Sequence, residues 1–382
     1  MNVALINTVK ESFINKFQTE PMLIFSPGRI NIIGEHTDYN DGFVFPAAVN
    51  KGIVAAIQKS DSNTSKAFAV DKQEVVEFNL NKLKPMAQGS WQNYILGVIA
   101  EIQNRSKTIG NFNIAFGGDI PGGAGMSSSA ALENSVVYGL NELFKLDLSK
   151  HDMILISQKA EHNYVGVKCG IMDQYASMFG IENHALLLDC RTVTSTPFEI
   201  NFKDHELILI NTNVKHSLSD SAYNDRRSVC EYISEMLKVK ALRDATEFDL
   251  QGIKDKITPE NYQKALFVIQ ENNRAVRASQ AMKADDLETL GKLIYASHDG
   301  LQNQYKVSCE ELDFLVEQAR LNGHVLGARM MGGGFGGCTI NLVAKNEAES
   351  FKASASKAYK EKFNKDCSIY AVELSNGTHV IN

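Results

Sequence analysis

The sequence predicts an α+β fold in two halves, on three observations. Strand-like and helix-like patterns are mixed along the chain, without the strict strand–helix–strand cadence of a doubly wound sheet. The 382 residues exceed what one hydrophobic core usually serves. From about Asp220 long helical patterns dominate, and a polar stretch near 190–205, with Thr192 to Thr196 and Pro197, reads as the join.

Taken in order, Ile6, Val9, Phe13, Ile14 and Phe17 keep helical spacing, and Met22–Phe25 reads as a short strand. Trp91, Tyr94, Ile95, Val98 and Ile99 fit one face of a helix. Phe112, Ile114 and Phe116 alternate like a strand that feeds the glycine-rich stretch 117–125. The serine-rich end of that stretch runs into Ala130, Ala131, Leu132, Val136, Val137 and Leu140, a helical pattern with serine at its start. Ala185–Asp189 and Glu206–Ile210 read as strands. Helices are expected over 220–238, 262–281, 287–298 and 310–322, then strands at Cys338–Val343 and Ser368–Val372 with a helix between them. There is no internal repeat and no low-complexity tract.

Composition narrows the function. With 44% hydrophobic and 22% charged residues the chain is an ordinary globular one, neither disordered nor fibrous. Its net charge of -6 argues against a duplex nucleic-acid partner, which calls for a basic face. Six cysteines form no CxxC pair and lie near no histidine cluster, so reduced thiols are expected rather than zinc. Met1 to Phe17 lacks the pattern of a signal peptide, and the longest uncharged stretch, Met330–Ala344, is shorter than the ~20 apolar residues a bilayer span needs. A cytoplasmic chain with no membrane partner is the expectation.

Four segments carry chemistry. Gly118 to Ala130 joins a strand to a helix through glycines and then Ser127, Ser128 and Ser129. Glycines let the backbone curl with its N–H groups inward, and the helix start adds a positive dipole end, so polyphosphate is the natural guest. A surface turn with an N-capping serine is the plain alternative, disfavoured by the strand before and the helix after. The segment is neither a Walker A loop, lacking Gly-Lys-Ser/Thr, nor a nucleophile elbow, lacking its closing glycine. Gly332 to Gly337 matches GxGxxG, but a dinucleotide fingerprint needs a helix after it and Cys338–Val343 alternates like a strand. That leaves a tight loop approached by a ligand or another loop, or a glycine-rich hairpin.

The third segment, Ser26 to Gly42, crowds Arg29, Glu35, His36, Asp38 and Asp41 just after a strand. Such a mixture suits a polyhydroxylated ligand, whose hydroxyls both donate and accept; a solvated loop is the alternative. In the fourth, Glu161 to Gln174, Asp173 stands in the otherwise uncharged run Cys169–Gly180. This predicts a buried carboxylate, which is rare unless paired or functional. His162 is read as a packing or surface residue.

Together these segments resemble the GHMP small-molecule kinases and, within them, the galactokinase family. Pro27–Gly42 is similar to the galactokinase signature almost letter for letter, and Pro121–Ala130 to the family phosphate loop, with Met126 where leucine is usual. Met331–Cys338 resembles the third motif; Cys169–Gln174 and Trp91–Tyr94 also fit. The resemblance runs in order from about residue 26 to 338.

It implies a two-domain architecture, an N-terminal α+β domain at 1–195 with the sugar and phosphate loops and a C-terminal one at 196–382, with the active site in the cleft between them. It implies Asp173 as catalytic base and Arg29 as its charge-stabilising partner. Glu35, His36, Thr37, Asp38, Asp173 and Tyr223 would bind substrate, Tyr223 through the run Ala222–Arg227. Gly123, Ala124, Gly125, Met126, Ser127, Ser128 and Ser129 would cradle ATP, and Ser129 and Glu161 would ligate magnesium. Trp91 and Tyr94 are candidates for the adenine side.

The implied activity is transfer of the ATP γ-phosphate to the C1 hydroxyl of galactose, by a monomer or weak homodimer. A sister kinase acting on N-acetylgalactosamine or another substrate of the superfamily, and a non-catalytic galactose and ATP sensor, are the alternatives. The intact Ser127–Ala130 speaks against the sensor. Phosphoryl transfer asks a protein mainly for positioning and charge neutralisation, which a carboxylate, an adjacent arginine and a hard oxygen-ligated cation supply.

Overall fold

The computed structural model describes residues 2–214 and 219–381, with the backbone alone for 219–221. Helix α1 (Val3–Phe17) precedes β1 (Met22–Asn31), β2 (Phe43–Val44), β3 (Pro46–Lys59), β4 (Ser65–Ala69) and β5 (Glu74–Phe78). Then come α2 (Gln92–Asn104), β6 (Phe112–Gly118), α3 (Ser128–Phe144), α4 (Lys150–Ala160), α5 (Met172–Phe179), β7 (His184–Asp189), β8 (Thr194–Glu199) and β9 (His205–Asn211). The second half adds α6 (Ser219–Leu237), α7 (Glu247–Gln251), α8 (Pro259–Lys283), α9 (Leu287–Gly300), α10 (Glu310–Leu321), β10 (Val325–Met330), β11 (Cys338–Ala344), α11 (Ala348–Phe363), β12 (Ser368–Ala371) and β13 (His379–Val380).

The strands form three sheets, ordered β13-β1-β3-β6-β4-β5, β10-β11-β9-β12 and β2-β7-β8. Among the described residues only β4 and β6 run parallel, so the α+β expectation holds. Ile24, Ile57 and Ile114 of the large sheet pack on Val98 of α2, Val137 of α3 and Ile156 of α4. Leu209 and Ile340 of the second sheet pack on Ala278 of α8 and Leu290 of α9. Ile30, Ile32 and Ala124 join this second core, so apolar packing continues from one half into the other.

Two expectations are corrected. The strand begun at Met22 does not stop at Phe25 but runs on to Asn31, so Arg29 sits on the strand and not in a loop. Its register against β3 shifts between Pro27 and Arg29, a bulge that tolerates the proline, after which Arg29 pairs with Ala48. The stretch Thr192 to Pro197 is likewise no linker. It turns into β8, an edge strand paired residue for residue with β7. Strand β13, far along the chain, returns to pair with β1, Phe25 opposite His379.

Candidate active site

Two adjoining cavities open between the halves, of about 580 and 110 Å³. Arg29, Val167, Asp173, Tyr223 and Gly333 line both and so form the wall they share.

The larger cavity is built by two glycine loops meeting backbone to backbone. All seven residues expected to cradle phosphate, Gly123, Ala124, Gly125, Met126, Ser127, Ser128 and Ser129, line it. Ala124 and Met126 bury their side chains in the second core, which pins the loop. Gly125, at φ 70°, lies where a Cβ would come within 3.0 Å of the Met331 carbonyl. Thus Gly332 to Gly337 is the tight loop approached by another loop. Helix α3 starts at Ser128 and aims its free N–H groups at this space. Ser127 makes no capping bond and adopts φ 55° instead. Tyr94 lines the cavity, but Trp91 does not: its Nε1 donates to Glu74 at 2.8 Å and its ring packs on Phe116.

On the shared wall Arg29 grips Asp173 with two parallel bonds, Nε to Oδ1 at 2.7 Å and Nη2 to Oδ2 at 2.8 Å. Arg29 Nη1 donates to the Gly125 carbonyl, and Ser127 Oγ donates to Asp173 Oδ2. Three of the five guanidinium N–H donors are committed; the other two remain for a ligand. Arg29 is 4% exposed, whereas Asp173 is 24% exposed. Asp173 is therefore not the buried carboxylate expected from its uncharged surroundings; it is partnered and open to the cavity.

The smaller cavity collects Glu35, His36, Asp38 and Tyr223. Thr37 does not join them: it is fully buried and donates to the Gly34 and Phe43 carbonyls, closing the loop. Asp41 also faces elsewhere, toward Arg191 and Lys240. Glu35 is 2% exposed, and its Oε1 accepts from Arg329 Nη1 at 3.0 Å and from the Gly332 N–H at 2.9 Å. Burial, with Asp173 and Glu35 nearby, pushes Asp38 up to about 7. Gly170 makes room for it, since a Cβ there would fall 2.0 Å from Asp38 Oδ2. Buried Glu271 holds the loop from beneath, accepting from the Gly34 N–H at 2.9 Å and from Arg274 and Ser297.

Glu161 borders the smaller cavity where α4 widens into a π-helical turn, Glu161–Val165, a distortion often found at functional sites. Its Oε2 accepts from Gln174 Nε2 at 2.9 Å, and Ser129 lies near enough to favour its charged form. Burial and the nearby Asp173 push Glu161 up to about 7. Gln174 also reaches Glu133 Oε2 at 3.4 Å; Glu133 is fully buried, its other oxygen has no partner, and burial beside Glu161 raises it well above the carboxylate range. Ser129 and Glu161 thus offer hard oxygen donors at one point.

Arg329, Glu133, Gln174 and Tyr39 escaped the sequence reading as site residues. Arg329 left one trace, a lone charge between the apolar β10 pattern and the glycine run.

Three family models match the chain. They are the galactokinase galactose-binding signature at 11–59, the GHMP kinase N-terminal domain at 93–181 and the GHMP kinase C-terminal domain at 278–361. The chain is similar to a galactokinase of Thermotoga petrophila, 40% identical over 366 residues that cover 94% of this chain and 100% of the relative. It is also similar to one of Clostridium acetobutylicum, 39% identical and covering 99% of this chain and 100% of that one. Among solved structures, the Lactococcus lactis galactokinase complexed with galactose superposes with a TM-score of 0.94 at 34% identity, over 98% of this chain and 99% of that one. The Methanococcus jannaschii mevalonate kinase, at 18% identity and TM-score 0.65 over 94% of this chain and 100% of that one, shares the fold.

Proposed function

The chain belongs to the galactokinase family within the GHMP kinases, and from this premise we propose that it transfers the γ-phosphoryl group of ATP to the C1 hydroxyl of α-D-galactose, giving galactose 1-phosphate and ADP. The observation that carries the reading is the shared wall. Asp173 and Arg29 stand between a cavity walled by glycine- and serine-rich backbone and a smaller one walled by carboxylate, imidazole and phenol side chains.

In this reading the sugar sits against Glu35, His36, Asp38 and Tyr223 and turns its C1 hydroxyl toward Asp173. Asp173 takes the hydroxyl proton as the oxygen attacks the γ-phosphorus, and the bond to the β,γ-bridging oxygen breaks to release ADP. The two uncommitted N–H groups of Arg29 face the equatorial phosphoryl oxygens, and the loop N–H groups and the α3 terminus hold the β-phosphate. Ser129 and Glu161 would hold magnesium. Two hard protein oxygens suit a cation that keeps waters and phosphate oxygens as its other ligands, and when bound it neutralises phosphate charge. Six free cysteines suit a reducing compartment, and we place the reaction in the cytoplasm.

The test is ADP release across galactose, glucose, N-acetylgalactosamine and mevalonate. Galactose is expected to turn over and glucose, its C4 epimer, to lose at least ~10²-fold in kcat/KM, because a site that hydrogen-bonds one hydroxyl rejects the misplaced one. Equal turnover on glucose would sink the specificity, preference for N-acetylgalactosamine would move the substrate to the sister sugar, and no release on any sugar would leave a sensor.

Glu161→Gln is expected to raise the magnesium concentration for half-maximal turnover by about 10–100-fold while galactose affinity stays nearly constant. Metal titration of turnover beside calorimetry with galactose separates the two. The same half-saturation in both proteins would take Glu161 away from the metal.

A further inference from the structure

The smaller cavity borders on a ring nitrogen with nothing to bond to. His36 is 3% exposed, its Nε2 is buried without a partner, and the residue lines the cavity read above as the sugar site. Its other nitrogen leads inward. Nδ1 lies 2.8 Å from the Tyr39 hydroxyl, which lies 2.8 Å from the Tyr305 hydroxyl, which lies 3.4 Å from Cys230 Sγ. Tyr305 and Cys230 are core residues of the second half. A file of polar hydrogens therefore connects the core to the sugar pocket, and its direction decides what Nε2 presents there.

Burial, with Arg226 and Arg329 nearby, pushes His36 down to about 3, so the ring is neutral and carries one N–H. In one direction Cys230 S–H donates to Tyr305, Tyr305 O–H to Tyr39, and Tyr39 O–H to Nδ1, which leaves the proton on Nε2. In the other, Nδ1–H donates to Tyr39, Tyr39 to Tyr305 and Tyr305 to sulfur, which leaves a bare lone pair on Nε2. The second direction ends on the weakest acceptor of the file. It also sets the Nε2 lone pair against the Gly333 carbonyl beside the ring, acceptor against acceptor. The first direction ends on the imidazole nitrogen, a better acceptor than sulfur, and leaves an N–H instead of a lone pair beside the carbonyl.

We propose that the file Cys230–Tyr305–Tyr39 fixes His36 as its Nε2–H tautomer, so that the sugar pocket presents a hydrogen-bond donor there and takes a hydroxyl by its oxygen lone pair. Tyr39 and Tyr305 are then positioning residues for sugar recognition. The link to recognition rests on the sugar reading of the cavity; the tautomer does not.

The test labels the nine histidines with ¹⁵N in the full chain and records long-range ¹H–¹⁵N correlations without sugar, the His36 signals being identified by their loss in His36→Gln. Wild type is expected to show an unprotonated Nδ1 and a protonated Nε2. Tyr39→Phe removes one hydroxyl, and is expected to mix the tautomers and raise the galactose KM by about 3–10-fold, the weight of one hydrogen bond, with little change in kcat. Tyr305→Phe is expected to move both in the same direction by less. A wild-type ring protonated at Nδ1 overturns the proposal, as does a Tyr39→Phe protein whose tautomer and KM match wild type. If the spectra are as expected but galactose is not turned over, the substrate reading fails and the tautomer stands.

Discussion

Asp173→Asn is expected to lower kcat for galactose phosphorylation by roughly 10²–10⁴, the span of a positioned proton transfer. The substitution keeps the volume of the side chain and removes its ability to take the proton of the attacking hydroxyl. It is not silent for the fold. Both carboxylate oxygens are engaged, Oδ1 by Arg29 Nε and Oδ2 by Arg29 Nη2 and Ser127 Oγ. An amide can accept on one side only, and its NH₂ then faces a donor. Some loss of thermal stability is expected beside the loss of rate, and a melt on the assayed sample tells them apart. If the pair were merely structural, Asn would unfold the protein while the folded fraction stayed active. A well-folded Asn variant with near-normal kcat would remove Asp173 from the mechanism. Because the two charges act as a unit, Asp173→Asn with Arg29→Met is expected to lose little more than either alone.

The largest stability effect is expected at Arg329. It is fully buried and donates from Nε to the Ile32 carbonyl at 2.8 Å, and from Nη1 to Glu35 Oε1 at 3.0 Å and the Met330 carbonyl at 2.6 Å. Its Nη2 donates to the Asn31 carbonyl. One side chain therefore ties the end of β1 to β10 and anchors the carboxylate between the sugar loop and Gly332. Arg329→Met keeps most of the bulk and leaves Glu35 buried without its counter-charge, a change expected to cost about 3–5 kcal/mol. Denaturant unfolding measures it. Adding Glu35→Gln removes the orphaned charge and is expected to restore part of the stability while the galactose KM stays high, since the sugar loop has lost its anchor. Arg329→Met as stable as wild type would show that the bridge contributes nothing.

What was legible in the sequence is what is local along it. The phosphate loop, the sugar loop and the second-half helices show because their glycines, serines and apolar periods sit within a few turns of one another. Trp91 was misplaced because it shares a helical face with Tyr94, yet it stands at the very start of α2 and turns toward Glu74. Thr37 was misplaced because its neighbours on both sides line the smaller cavity; His36, at φ 62°, turns the backbone between Glu35 and Thr37, so the residues on either side of it diverge. Strand β3 was missed because Asn50, Lys51 and Gly52 interrupt its apolar run. Strand β8 looked like a linker because an edge strand with mostly exposed side chains has a linker's composition. The partner of Glu35 lay beyond reach, since Arg329 is supplied by β10, far along the chain, and Arg29 was legible as the partner of Asp173 only through the resemblance.

The pairing of β13 with β1 fixes when this protein can finish folding on the ribosome. Strand β1 carries Arg29, yet its outer edge gains a partner only when His379 and Val380 have been translated. Until then the N-terminal sheet presents an unpaired edge to the nascent chains around it, the kind of surface that recruits strands from other molecules. The arginine of the candidate site thus rests on a sheet that closes only late in synthesis. Translation pausing or truncation ahead of β13 should yield an aggregation-prone chain instead of a smaller working domain.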